Sequence, residues 1–358
     1  MSLDFVHRSV PSRVVFRPGA LDELPAELER LGVRRPLIVA GKRAAGWPAF
    51  PGIARDYPRV LDVPEHSAVE AVEKIAVVAR ERGIDALVAV GGGSASDTAK
   101  AAAILLAEGG RLEDHASRFT PPAALHIPEL RAPKLPIIAV PCTASGAEVT
   151  PGLGVRSGSR KLLFTDHQVA ARLILIDPAA NTSVPASLML TTGMNGLAHC
   201  IEGLYSKVRT PVTDALCLHG IALFAEALPR VAREPQSVDA RASLLAAGHI
   251  SGRVLLNART CLHHAICHAL GAVTGVAHGA ANAVMLPHAA AFNDSPHVGR
   301  IRRLQVETGV STRLRDIGVP RERLAVVAEK VMQERGVYFN PRRVDGPAAV
   351  EKLLEEAW

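Results

Sequence analysis

Residues 86–110 read ALVAVGGGSASDTAKAAAILLAEGG: an apolar run, three glycines, then a helix-forming stretch closed by two more glycines. A strand that is apolar at every position has to be covered on both faces, as a central strand of a parallel sheet is. The alternation recurs along the first half. Residues 13–17, RPLIVAG (35–41), PIIAVPC (136–142) and RLILIDP (172–178) are strand candidates. Between them, ALDELPAELERLG (20–32) and SAVEAVEKIAVVARERG (67–83) have helical spacing. The first half is therefore an α/β layer structure around a mainly parallel sheet. EVTPGLGVRSGSRKLLF (148–164) departs from that pattern and reads as a hairpin turning at Ser157, Gly158 and Ser159. The prolines of FTPPAALHIPELRAPKLP (119–136) mark a long irregular connection.

After about residue 180 the strands stop. PASLMLTTGMNGLAHCIEGLYSK, TDALCLHGIALFAEALPRVA and the stretch through LHHAICHAL all have helical spacing. The expected organisation is an α/β dinucleotide-binding domain over 1–178 and an all-helical domain over 179–358, with the boundary near Asp177 and Pro178. With 358 residues, 48% of them hydrophobic, the chain can bury a sizeable core in each. Aromatic residues are only 4%, which argues against a base-stacking surface, and a net charge of +6 without a basic run argues against nucleic acid. The N-terminal stretch has no apolar segment of a secretory signal, and no apolar run approaches the ~20 residues of a membrane span. Five scattered cysteines without a CxxC pair read as reduced thiols, so the expected location is the cytoplasm, with no membrane partner.

Two regions carry chemistry. GGGSASDTAK (91–100) follows a strand and opens a helix, a context in which backbone N–H groups hold a pyrophosphate; Gly92 and Gly93 allow close approach and Ser94 adds a donor. The alternative is simply a tight turn, since GxGxxG is absent. Asp97 and Lys100, three apart on one helix face, suit an intrahelical ion pair. PCTASGAEVT (141–150) is a second strand-to-turn element, whose Thr143 and Thr150 hydroxyls can approach a ribose or phosphate or serve as caps. Lys161, in the hairpin that follows, is either a cation for cofactor or substrate or a surface lysine.

The second region is LHHAICHALGAVTGVAHG (262–279). His264 and His268 are four apart and share a helix face, and His278 follows a glycine-containing break. Asn195 and His199 repeat the four-residue spacing in GMNGLAHCIE (193–202). Together they make a shared site of imidazoles, with Glu202 either a further ligand or a structural partner. A divalent metal ordinarily also takes a carboxylate, and here the first helix offers an amide.

These elements, GGGSASDTAK, PCTASGAEVT, GMNGLAHCIE, HHAICHALG and HGAANAVMLPHAAAFN (278–293), resemble in order those of the iron-containing alcohol dehydrogenase superfamily. The resemblance implies a nucleotide-binding α/β domain, a helical domain and a catalytic cleft between them. It implies that Asn195, His199, His264 and His278 occupy the family's metal-ligand positions, normally one aspartate and three histidines, with His268 beside nicotinamide and substrate. Asp97 falls in the cofactor motif, and Gly41 stands where the family's pattern has an aspartate for the adenosine ribose. Lys42 and Arg43 follow it, so NADPH is expected to be accepted at least as readily as NADH. Within the superfamily the chain is most similar to maleylacetate reductases, by the Asn of GMNGLAHC, by LHHAICH and by its short threonine turn. Those enzymes reduce the double bond of maleylacetate to give 3-oxoadipate and are regarded as metal-free.

The expected activity is thus an NAD(P)H-dependent reduction of a small carboxylated enone or oxo acid, with no metal, or with Asn195, His199, His264 and His278 as ligands if one binds. A conjugated double bond needs less polarisation than an aldehyde, and a histidine cluster can carry positive charge toward a dicarboxylate. The competing expectations are a metal-dependent alcohol dehydrogenase, a lyase like dehydroquinate synthase, and a silent nucleotide-binding protein. Relatives suggest a homodimer.

Overall fold

The computed structural model describes residues 4–122, 124–158 and 160–358. They form two units, one composed of Ser9–Arg118 with Leu125–Val184, the other mainly of Pro185–Trp358. The short pieces ending at Arg8 and at Ala124 group with the second.

The first unit is built on a six-stranded sheet. Its strands are β1 (Arg13–Phe16), β2 (Pro36–Ala40), β3 (Arg59–Val60), β4 (Ala86–Gly91), β5 (Ile137–Pro141) and, after a hairpin, β8 (Leu173–Ile176). The spatial order is β1-β8-β5-β4-β2-β3, and every pairing is parallel. Strands β2, β4 and β5 are buried almost throughout, as their uninterrupted apolar sequences require. Helix α1 (Leu24–Arg30) is preceded by a 3-10 turn over Ala20–Glu23, so the stretch 20–32 is two elements. Helix α2 (Val69–Glu81) buries Val69, Val72, Ile75, Ala76 and Ala79 on one stripe. Helix α3 (Gly93–Glu108) buries a run of alanines that lets it lie close to its neighbours. The hairpin β6 (Gly152–Ser157) and β7 (Arg160–Thr165) is antiparallel as expected. Of its turn residues, Ser159 lies outside the described residues.

Strand order reverses between β4 and β2: from β2 the chain runs outward to β3, and from β4 it runs the other way to β5. In register, Ala40 lies beside Val90, and Gly91 beside Pro141. The carboxyl ends of these strands therefore line up at the topological switch point, where open α/β sheets bind their ligands.

The second unit is helical, and no strand follows Ile176 among the described residues. Its main helices are α4 (Ala186–Tyr205), α5 (Pro211–Arg233), α6 (Val238–Ala258), α7 (Leu262–Thr274), α8 (His278–Phe292) and α9 (Val298–Thr308). Helix α5 corrects one expectation, because it is long and apolar enough to cross a membrane by length and composition. Here it packs on α4 and α6 and buries Cys217, Ile221, Phe224 and Leu228, the pattern of a core helix. All five cysteines are buried and free.

Candidate functional site

The glycine turn sits at the end of β4. Gly92 is the N-cap of α3, and no side chain caps the first turn, so its N–H groups are left for another acceptor. A Cβ at Gly92 would stand 3.1 Å from Thr143 Cγ2 and 3.2 Å from its Oγ1, so the two turns are in contact and a side chain here would crowd Thr143. Ser94 Oγ accepts from the His66 N–H at 3.1 Å, which leaves the hydroxyl proton to donate elsewhere. Thr143 Oγ1 is 3.2 Å from Ser145 Oγ. Thr150 instead donates to the Gly152 carbonyl at 3.1 Å and ties down the root of the hairpin. Gly41 directly follows the neighbouring strand β2.

Asp97 and Lys100 differ from the expected mutual pair in their contacts. Asp97 Oδ2 accepts from the Gly154 N–H at 3.0 Å, and Lys100 Nζ, fully buried, donates to the Ala147 carbonyl at 2.7 Å. Burial pushes the Asp97 carboxyl up and the Lys100 ammonium down from their ordinary pKa values. A Cβ at Gly154 would meet Lys161 Cε, so the Lys161 stem lies across Gly154 and its charge acts on both Asp97 and His66. The cations after Gly41 are not without acids, which corrects the sequence reading. Arg43 pairs with Glu65 at 2.7 Å, and Lys42 acts on Asp62, itself paired with Lys74. The reason is that β3 places residues 62–65 beside the end of β2.

The histidines assemble in the helical unit. The His264 ring is stacked on His199 with centroids 4.7 Å apart, and lies 6.2 Å from His268 and 5.9 Å from His278; His268 and His278 stack at 5.5 Å. His199, His264 and Asn195 are buried, while His268 and His278 are half-buried. His264 Nε2 is 3.1 Å from Asn195 Oδ1, and its Nδ1 is 2.5 Å from Glu202 Oε2. The other oxygen of Glu202 accepts from the N–H groups of Cys261 and His263, both at 3.0 Å. One buried carboxylate thus caps the first turn of α7 and fixes the ring of its second histidine. Burial raises Glu202 to about 7. It pushes His199 well below the ordinary histidine value and His263 to about 4, so neither of these supplies the positive charge expected of the cluster.

His263 and Asn282 were not singled out from the sequence. His263 Nε2 is 3.1 Å from the Asn282 carbonyl, and Asn282 Nδ2 donates to the His278 carbonyl at 2.7 Å. The signal was present in the doubled His263-His264 and in Asn282, four residues after His278.

Whether one ion fits Asn195, His199, His264 and His278 is decided by convergence. Among the described residues, the three His, Cys, Asp or Glu donors that lie within 4.8 Å of one another are Glu202, His263 and His264, and these are engaged in the hydrogen bonds just given. His199 and His264 present ring faces to each other, and Asn195 brings no charge. As arranged, with an amide at Asn195, the four positions are not drawn together around one ion. The glycine turn, with its uncapped helix and a Gly92 packed closely against Thr143, does fit a nucleotide phosphate.

The chain belongs to the iron-containing alcohol dehydrogenase family. The pattern of iron-containing alcohol dehydrogenase matches residues 11–178, and that of the Fe-containing alcohol dehydrogenase family, C-terminal, matches residues 189–307. It is accordingly an oxidoreductase. It is similar to the maleylacetate reductase of Pseudomonas knackmussii, 30% identical over 380 residues that cover 99% of this chain and 98% of that one. It is also similar to an NAD-dependent methanol dehydrogenase of Bacillus methanolicus, 29% identical over 339 residues, 92% of this chain and 86% of that one. Among solved structures, a maleylacetate reductase from Agrobacterium tumefaciens superposes with a TM-score of 0.83 at 26% identity, over 99% of this chain and 98% of that one.

Proposed function

We propose that the chain is a reductase that uses NADH or NADPH to saturate the double bond of a small carboxylated enone, maleylacetate or a near analogue, without a metal. The observation that carries this reading is Asn195, an amide at 3.1 Å from His264 Nε2 where a metal-binding member has a carboxylate. The likeness to maleylacetate reductases supports the substrate.

Reduced nicotinamide, when bound, supplies the hydride. The residues of the chain hold the substrate and manage the proton. As the double bond is reduced, negative charge collects on the conjugated carbonyl oxygen, and an imidazole N–H aimed at it stabilises that charge and then protonates the product. His268 is the candidate donor, because it is half-buried rather than sealed. The Glu334 carboxylate lies 3.5 Å from its Nδ1, the arrangement by which an acid orients a histidine. His264 is held between Glu202 and Asn195 and so fixes the floor of the cluster. His199, kept neutral by burial, adds a polar wall without charge.

The test is oxidation of NADH and NADPH by maleylacetate after exhaustive chelation, with 3-oxoadipate identified as product. Turnover that survives chelation is the expected result. Activity that returns only with added iron or zinc, and that favours aldehydes, replaces this reading with a metal-dependent alcohol dehydrogenase.

A further inference from the structure

Two arginines flank the start of α7, the helix that carries His264 and His268. Arg259 closes helix α6 at φ 60°, ψ 178°. That region is essentially reserved for glycine, so an arginine held there is strained. Its guanidinium lies over the Phe339 ring, 5.1 Å from the centroid. Arg335 lies next to Glu334, whose carboxylate reaches His268. The segment between them is clamped to the start of α7: a Cβ at Gly336 would fall 2.4 Å from the Cys261 carbonyl oxygen, and the Leu262 N–H donates to Asn340 Oδ1 at 3.4 Å.

The two guanidinium groups act on each other as like charges, and burial disfavours the charge of both. Arg8 adds to the repulsion at Arg259. Glu334, the acid that acts on Arg335, is turned to His268. Among the described residues neither guanidinium makes a hydrogen bond or an ion pair, and neither has its nitrogens sealed from solvent. Like charges brought together and half-desolvated, with Glu334 shared between Arg335 and His268, describe a place for an anion. Planar forks of N–H donors suit a carboxylate.

We propose that Arg259 and Arg335 form an anion subsite beside His268 that takes one carboxylate of a small dicarboxylic substrate. The proposal rests on the reading of the chain as a reductase of a carboxylated enone, and names the groups that recognise the end of that substrate away from the reacting carbons.

The test separates binding from turnover. Adipate and its uncharged dimethyl ester are titrated calorimetrically into the wild type and into Arg259→Gly, Arg335→Gln, Arg335→Lys and Arg343→Gln. The last removes an exposed guanidinium that pairs with Asp345 at 3.2 Å and serves as the control. The wild type and the control are expected to prefer adipate to the ester by about tenfold or more, the worth of a charge-assisted pair. Arg259→Gly and Arg335→Gln should each lose that preference, and Arg335→Lys should recover part of it. Arg259→Gly should also melt at a higher temperature, since glycine adopts this backbone without strain, so its loss of adipate affinity cannot be assigned to misfolding. A wild type indifferent to charge, or variants that keep its preference, overturns the subsite. NAD(P)H oxidation by maleylacetate on the same preparations is read separately. Turnover with unchanged adipate binding in the variants keeps the reductase and rejects the subsite; arginine-dependent adipate binding without turnover does the reverse.

Discussion

At Asn195 one atom of side chain separates an amide from a carboxylate, and that atom sets the charge beside His264. Asn195→Asp restores a charged oxygen next to His264 Nε2, so a dication gains the attraction that the amide withholds. The variant should take up zinc or iron approaching one ion per chain, against little in the wild type, measured by elemental analysis of protein purified without a metal-affinity tag. A wild type that already carries a full equivalent would defeat the metal-free reading. Glu202 gives a second prediction at this scale. Glu202→Ala strips the acceptor from two buried N–H groups and from His264, and should cost about 3–5 kcal/mol in urea denaturation. Glu202→Gln keeps an acceptor oxygen and should cost about half as much; equal costs would mean that the cap is not what Glu202 supplies. The grouping of the histidine rings was legible because helical spacing puts Asn195 with His199 and His264 with His268 on one face, and the glycine-containing break before His278 lets it turn back toward them. Which backbone groups Glu202 would satisfy was not, since the start of α7 exists only once the helices have packed.

The turn between β4 and α3 is defined by an absence of side chain, so adding one is its test. Gly92→Ala drives a methyl into Thr143 and should weaken NAD(P)H binding by about tenfold, read by nucleotide fluorescence, with a smaller change in melting temperature. An unchanged affinity would detach the turn from the cofactor. The connection at 119–136 yielded less to sequence reasoning. Its prolines announce irregular chain, but nothing in the spacing reveals that Lys134, with its side chain fully buried, pairs with Glu108 at 2.5 Å and with Asp166 at 3.2 Å. Lys134→Ala leaves two carboxylates without their cation and should cost about 3 kcal/mol at neutral pH. Lys134 holds the Glu108 carboxyl below its usual range, so its contribution is present above the ordinary carboxylate value and is lost as the pH falls through the lowered one. The difference between variant and wild type should therefore shrink on going from about pH 6 to about pH 3. A gap that holds constant would argue that Lys134 acts by packing alone. The long strands β2, β4, β5 and β8 were readable from their apolar runs, whereas β3, only two residues, offers no period to detect. That short strand is what brings Asp62 and Glu65 to the end of β2 and changes the charge expected there.

Across the whole molecule the two chemistries lie in different units. Gly92, Ser94, Thr143 and the hairpin belong to the α/β unit, and Asn195, the histidines, Arg259 and Arg335 to the helical one. Cofactor and acid should therefore leave different footprints in amide hydrogen exchange. A ligand at a hundred times its dissociation constant stabilises the state it binds by about 2.7 kcal/mol, enough to slow exchange through local openings some hundredfold. NADPH should protect peptides that contain residues 91–96 and 142–146, because the N–H groups of the uncapped first turn of α3 acquire an acceptor. Adipate should instead protect peptides spanning 258–264 and 334–340, where the arginines sit against the start of α7. Protection of the glycine turn by adipate alone would place the acid in the nucleotide's phosphate site and would undo the assignment of the helical unit to the substrate. Protection of both sets by either ligand alone would mean that the units respond as one cooperative body, so that neither footprint could be used to assign a ligand to a unit.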